Sequence, residues 1–187
     1  MRLFVAIELD GPIKDALGKA QASLAAYDRG VRWVTRDQMH LTLVFLGEVA
    51  DGRVPAVCQA VQRAASGRCS FELALSGGGC FPPRGGVRVV WVGIQEPTGQ
   101  LQSLQAAVAD ELEGAGFRKE DRPFSPHLTL GRVRDDRTGG ALRADVSAVS
   151  IPALGQRVSG IRVVASELHP SGARYRTVAE CALADAS

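Results

Sequence analysis

No stretch of this 187-residue chain approaches the roughly 18 consecutive apolar residues that a membrane-spanning helix needs. The apolar run at the start, Leu3 to Ile7, is broken by Glu8 and Asp10. It is too short for a signal-peptide core and reads as a buried strand. The expectation is a cytoplasmic protein without a membrane partner. Cysteine is scarce. Cys58, Cys69, Cys80 and Cys181 contain no C-x-x-C pair, and none lies at zinc-ligand spacing from a histidine. Reduced thiols are the simplest account. Lysine is nearly missing, since 19 of the 22 basic residues are Arg. The planar fork of Arg suits phosphate, but Ala and Gly are abundant too, and a coding bias explains all three. A net charge of +2 with 22% charged residues excludes a disordered or strongly polyanion-binding composition.

What is present is enough apolar material, 45% of the chain, for one compact domain or two small lobes sharing a core. Leu3, Val5 and Ile7 alternate with Phe4, Ala6 and Glu8, which predicts a strand. Asp10-Gly11-Pro12 opens a helix that carries Ile13, Ala16, Leu17, Ala20, Leu24 and Tyr27 on one face. Val31 to Val34 and His40 to Leu46 are extended, and Val54 to Ala65 is helical. Phe71 to Leu75 and Val87 to Val92 are strands, with a Gly- and Pro-rich loop from Ser76 to Gly86 between them. A helix over Leu101 to Leu112 stops at Gly114-Ala115-Gly116. His127 to Val133 is a strand, and Arg134 to Gly140 a mobile loop. The chain closes with strands over Val158 to Val164, Ala165 to Leu168 and Tyr175 to Leu183, with a turn at Pro170-Ser171-Gly172. Hairpin-linked strands mixed with helices predict an α+β fold with antiparallel sheets.

One feature carries chemistry. His40-Leu41-Thr42-Leu43 recurs as His127-Leu128-Thr129-Leu130, and these two hold two of only three histidines. Residues i and i+2 of a strand share a face. Each motif therefore buries two leucines and presents a His–Thr pair on the other side. Two halves packed about an approximate two-fold axis would set the pairs across one cleft. A neutral imidazole there can take a proton from water, and a protonated one can give a proton to a leaving ribose oxygen. The threonine hydroxyls can hold the non-bridging phosphate oxygens. A metal site built on the two histidines lacks a third ligand at a suitable offset, so no metal or other cofactor is expected.

With these residues in place, the sequence resembles the two-histidine phosphoesterase superfamily, in its LigT-like RNA 2′,3′-cyclic phosphodiesterase branch, also called 2′-5′ RNA ligases. The resemblance rests on Arg2-Leu3-Phe4-Val5-Ala6-Ile7, Arg32-Trp33-Val34, His40 through Val49, Phe124 through Arg132, and Gly172-Ala173-Arg174-Tyr175. It implies a bilobal α+β fold in which residues 1–187 form one domain of two intertwined lobes. The active site would lie between them, and the product of cyclic-phosphate hydrolysis would be a 2′-phosphate. It implies His127 as general base and His40 as general acid, with Thr42, Thr129 and Arg132 on the phosphate. The implied partners are RNA ends or nucleotides bearing a 2′,3′-cyclic phosphate, acted on by a monomer.

Arg132 lies five residues after His127, so strict alternation turns it away, unless Gly131 marks a bulge. Phe4 is a candidate to stack on a base, with core packing as its other reading. Trp33 is read as core. His169, which lacks a Thr at i+2, is read as structural or exposed. The alternatives are a ligase joining tRNA-type halves through a 2′-5′ bond with the same residues, and an RNA-end binding module without catalysis. Product analysis with and without a 5′-hydroxyl acceptor separates the first from hydrolysis, and two intact His–Thr pairs argue against the second.

Overall fold

The computed structural model describes residues 1–138, 140–169 and 172–185, with only the backbone for 168, 169 and 172. Its elements run β1 (Arg2–Glu8), α1 (Gly11–Ser23), β2 (Val31–Trp33), β3 (His40–Glu48), α2 (Val54–Ala65), β4 (Phe71–Phe81), β5 (Val89–Gln95), α3 (Gln100–Gly114), β6 (His127–Val133), α4 (Ala141–Ala148), β7 (Gly155–Val158), β8 (Gly160–His169) and β9 (Gly172–Ala182). The strands form two antiparallel sheets, β3-β1-β8-β9 and β2-β6-β5-β4-β7. This is the α+β arrangement expected. Each sheet takes strands from both ends of the chain.

The core is continuous through both sheets and all four helices. It includes Leu3, Val5 and Leu41 of the first sheet, Leu73, Val90 and Leu128 of the second, Leu17 of α1, Val61 of α2, Leu104 of α3 and Val146 of α4. The motif leucines are part of it. Leu41, Leu43, Leu128 and Leu130 are all buried, and each contributes about 1.5–3 kcal/mol by leaving water. Phe4, Ala6 and Val164 form a separate small cluster on the opposite face of the first sheet.

Three sequence expectations need correction. The Gly-rich segment is not a loop from Ser76, because β4 continues to Phe81. Within the strand Gly78 and Gly79 serve close approach, and the turn is confined to residues 82–86, where Gly85 takes a positive φ of 78°. A Cβ on Gly78 would lie 2.4 Å from the Val146 carbonyl oxygen of α4, and one on Gly79 would lie 2.3 Å from the Trp91 ring. Helix α4 itself was not foreseen, since its only buried residues are Leu142 and Val146. The break assumed at Val164 and Ala165 is absent. The real break is at Ser159, between β7 and an unbroken β8. The segment after β6 is irregular as expected, but it is anchored. Asp136 accepts hydrogen bonds from the Val87 amide (2.7 Å) and the Thr138 hydroxyl (2.6 Å). Residues 170 and 171 of the expected final turn lie outside the described residues.

Candidate active site

The two motif strands, β3 and β6, belong to different sheets and lie in contact. The Val34 amide donates to the Leu130 carbonyl (2.9 Å), and the Gln21 side-chain amide bridges the carbonyls of Val34 and Leu130. As the alternation predicted, His40, Thr42, His127 and Thr129 are partly buried on the faces turned away from the core, while the intervening leucines are buried within it. Among the described residues neither threonine hydroxyl has a hydrogen-bond partner, so both remain available to a ligand.

Each motif contains the same irregularity. In the pairing of β1 with β3 the register skips Leu43, and in the pairing of β5 with β6 it skips Leu130. Both are the fourth residue of the tetrapeptide. An extra residue at that point inverts the alternation beyond it. Arg132 is thereby paired with Val89, and Thr129 with Trp91. Val89 and Trp91 are two apart on β5, so Arg132 shares the face of Thr129 and His127. Gly131 makes this bulge feasible, because a Cβ there would lie 2.6 Å from Val31 and 2.8 Å from Trp33. The same device in the first motif brings Phe45 to the face of Phe4 and Thr42, where it is 56% exposed. The sequence signal for Phe45 was its matching offset from the first histidine, which periodicity alone does not reveal.

Both histidines are framed by aromatic rings from neighbouring strands. His40 stacks on Phe4 (centroids 4.6 Å apart) and meets the edge of Tyr175 (5.3 Å). Phe4 also touches Tyr175 and is only 3% exposed. It therefore backs the imidazole and has no free face for a base. His127 meets Phe81 edge-on (5.0 Å) and lies 6.4 Å from the Trp91 ring. Phe81, Trp91 and Tyr175 were missed as site residues, since only strand pairing places them beside the motifs. Trp33 is packed against the core as expected, with its indole N–H donating to Asp28 (2.6 Å). The side chain of His169 lies outside the described residues.

Each ring has a backbone hydrogen bond to the residue two positions before it. The Nδ1 of His127 lies 2.7 Å from the Ser125 carbonyl. A carbonyl only accepts, so Nδ1 carries the proton and Nε2 is left without that bond. His40 has a backbone hydrogen bond to Gln38, also two residues back, which favours its charged form as a carbonyl acceptor would. Burial nevertheless prevails at His40 and lowers its pKa from 6.5 to about 4; the Gln38 hydrogen bond and the charge of Glu8 oppose it, and Lys14 adds to it. Burial raises the Tyr175 pKa, while the charges of Arg132 and Arg2 pull it down. That influence links Arg132, from the second sheet, to the His40 neighbourhood in the first. Phe4, His40, Val164 and Tyr175 line a pocket of about 110 Å³ that Glu8 and Arg162 also border. Among the described residues, no three His, Cys, Asp or Glu side chains converge as a metal site.

The close fit of β4 against Trp91 gives a test of this framing. Gly79→Ala would displace the indole that lies beside His127. The expected result is a several-fold fall in turnover and a lower melting temperature. A variant with wild-type kinetics would show that the ring does not position His127.

Two sheets, each carrying a His–Thr strand that meets the other, give the site a duplicated design. The chain matches the family described as LigT like Phosphoesterase twice, over residues 7–91 and 92–175, and it belongs to that family. It is 34% identical over 176 residues to the RNA 2′,3′-cyclic phosphodiesterase of Methanothermobacter thermautotrophicus, covering 94% of this chain and 95% of that protein. It is 35% identical over 188 residues to the protein of the same name from Thermus thermophilus, covering 98% and 90%. Among solved structures, TT0787 of Thermus thermophilus superposes with a TM-score of 0.79 at 31% identity, covering 99% of both chains. E. coli LigT complexed with 3′-AMP superposes at 0.77 and 30% identity, covering 97% of both.

Proposed function

We propose that this chain, acting as one unit over residues 1–187, hydrolyses the 2′,3′-cyclic phosphate of RNA ends to a 2′-phosphate without a metal. The observation that carries this reading is the pair of His–Thr strands meeting between the sheets, with the His127 Nδ1 committed to a backbone carbonyl. The names of the relatives and the 3′-AMP complex of E. coli LigT support the substrate class. Water attacks phosphorus as one imidazole takes its proton. The bond from phosphorus to O3′ breaks as the other imidazole protonates that oxygen. Thr42, Thr129 and Arg132 donate to the non-bridging oxygens, where negative charge accumulates. By resemblance His127 is the base and His40 the acid, and Phe4 supports the His40 ring.

The test is an assay on nucleoside 2′,3′-cyclic monophosphates and on a short RNA with the same end, with and without EDTA, in which the position of the product phosphate is identified. A 2′-phosphate formed equally well in excess EDTA is expected. Activity lost on chelation and restored by one added divalent ion would overturn the metal-independent mechanism. Thr42→Val, Thr129→Val and Arg132→Ala should each slow hydrolysis about 10-fold or more with the fold intact. A well-folded Arg132→Ala with unchanged kinetics would remove Arg132 from the phosphate.

A further inference from the structure

Arg132 has a neighbour that the mechanism does not use. Strand β2 is the edge of the second sheet and pairs Arg32 directly with Arg132. Paired residues point to the same side, so Arg32 stands on the His127 face beside Arg132. Both are exposed, and among the described residues neither has a carboxylate within ion-pair distance. Like charges directly opposite one another destabilise a sheet. Such a pair is tolerated most readily where an anion settles between or upon the two forks. One of them is placed to serve the reacting phosphate. The other lies one strand further out, at an edge where the site opens to solvent.

We infer that Arg32 binds the phosphodiester one nucleotide upstream of the cyclic end, so that the enzyme selects an RNA terminus over a mononucleotide. This rests on the cyclic-phosphate reading and specifies its substrate. A mononucleotide offers one phosphate, which leaves Arg32 unused. An RNA end offers a second phosphate to the same two-arginine face, and the chain leaves across β2.

The experiment compares kcat/KM on a nucleoside 2′,3′-cyclic monophosphate, on a dinucleotide with the same end, and on that dinucleotide with a neutral methylphosphonate linkage. Wild type should prefer the charged dinucleotide. Arg32→Ala should lose about 10-fold or more on it alone, with Arg32→Lys in between. The dependence of log KM on log salt should flatten by about 0.7 for the lost single-strand phosphate contact. Equal losses on all three substrates, or a wild type indifferent to the methylphosphonate, would overturn the assignment. Calorimetry with 3′-phosphorylated mono- and dinucleotides reads the same preference without turnover. A wild type that binds the dinucleotide more tightly through Arg32 but hydrolyses neither cyclic phosphate would sink the proposed function and leave this subsite standing.

Discussion

His40→Ala and His127→Ala are each expected to lower turnover of a 2′,3′-cyclic phosphate by roughly 10²–10⁴-fold, the range for one positioned proton-transfer group. The two losses should not multiply in the double variant, because in the proposed mechanism each histidine completes a reaction that neither performs alone. His127→Ala opens a space beside Phe81 and Trp91, and His40→Ala opens one between Phe4 and Tyr175. Thermal unfolding must therefore accompany the kinetics, to separate lost chemistry from lost fold. His169→Ala should keep a near-full rate. Should that variant be the damaged one, with His40→Ala active, the repeat would have been misread.

The second large effect concerns which histidine gives the proton. The resemblance makes His40 the acid, yet burial holds its pKa at about 4 in the free protein, so it is neutral at pH 7. Acting as acid requires the bound phosphate to supply the negative charge that favours its protonated form. A substrate with a better leaving group at O3′ needs the acid less. On such a substrate His40→Ala should recover most of its lost rate, while His127→Ala stays crippled; rescue of His127→Ala instead would exchange the roles.

The pH profile carries the same signature. In the proposed mechanism the active state holds one proton on the pair, so kcat/KM should fall below about pH 4, where His40 takes up its own proton. Phe4→Ala, which lets water reach the ring, should move that limb upward. A limb left in place would mean that Phe4 does not desolvate His40. The stability consequence has a definite sign. The unfolded histidine takes its proton near pH 6.5 and the folded one only near 4, so folding weakens as pH falls from 6.5 to 4 and is unaffected by this group above 6.5.

The repeated His-Leu-Thr-Leu strands, the residue of each that faces the core, and the α+β class were all legible along the chain. These follow from period-two alternation and from side-chain polarity, both local properties of the chain. Arg132 was half legible, since Gly131 suggested a bulge but only the pairing of β5 with β6 shows the skipped Leu130. The rest belonged to tertiary structure alone. Ser76 to Phe81 reads as loop because glycine is a poor strand former, and it becomes strand because a helix carbonyl and an indole press against it where no side chain fits. Phe4, Tyr175, Phe81 and Trp91 gather at the two histidines from β1, β9, β4 and β5, segments far from the motifs along the chain. The low pKa of His40 arises from that gathering, because desolvation is set by what surrounds a ring in space.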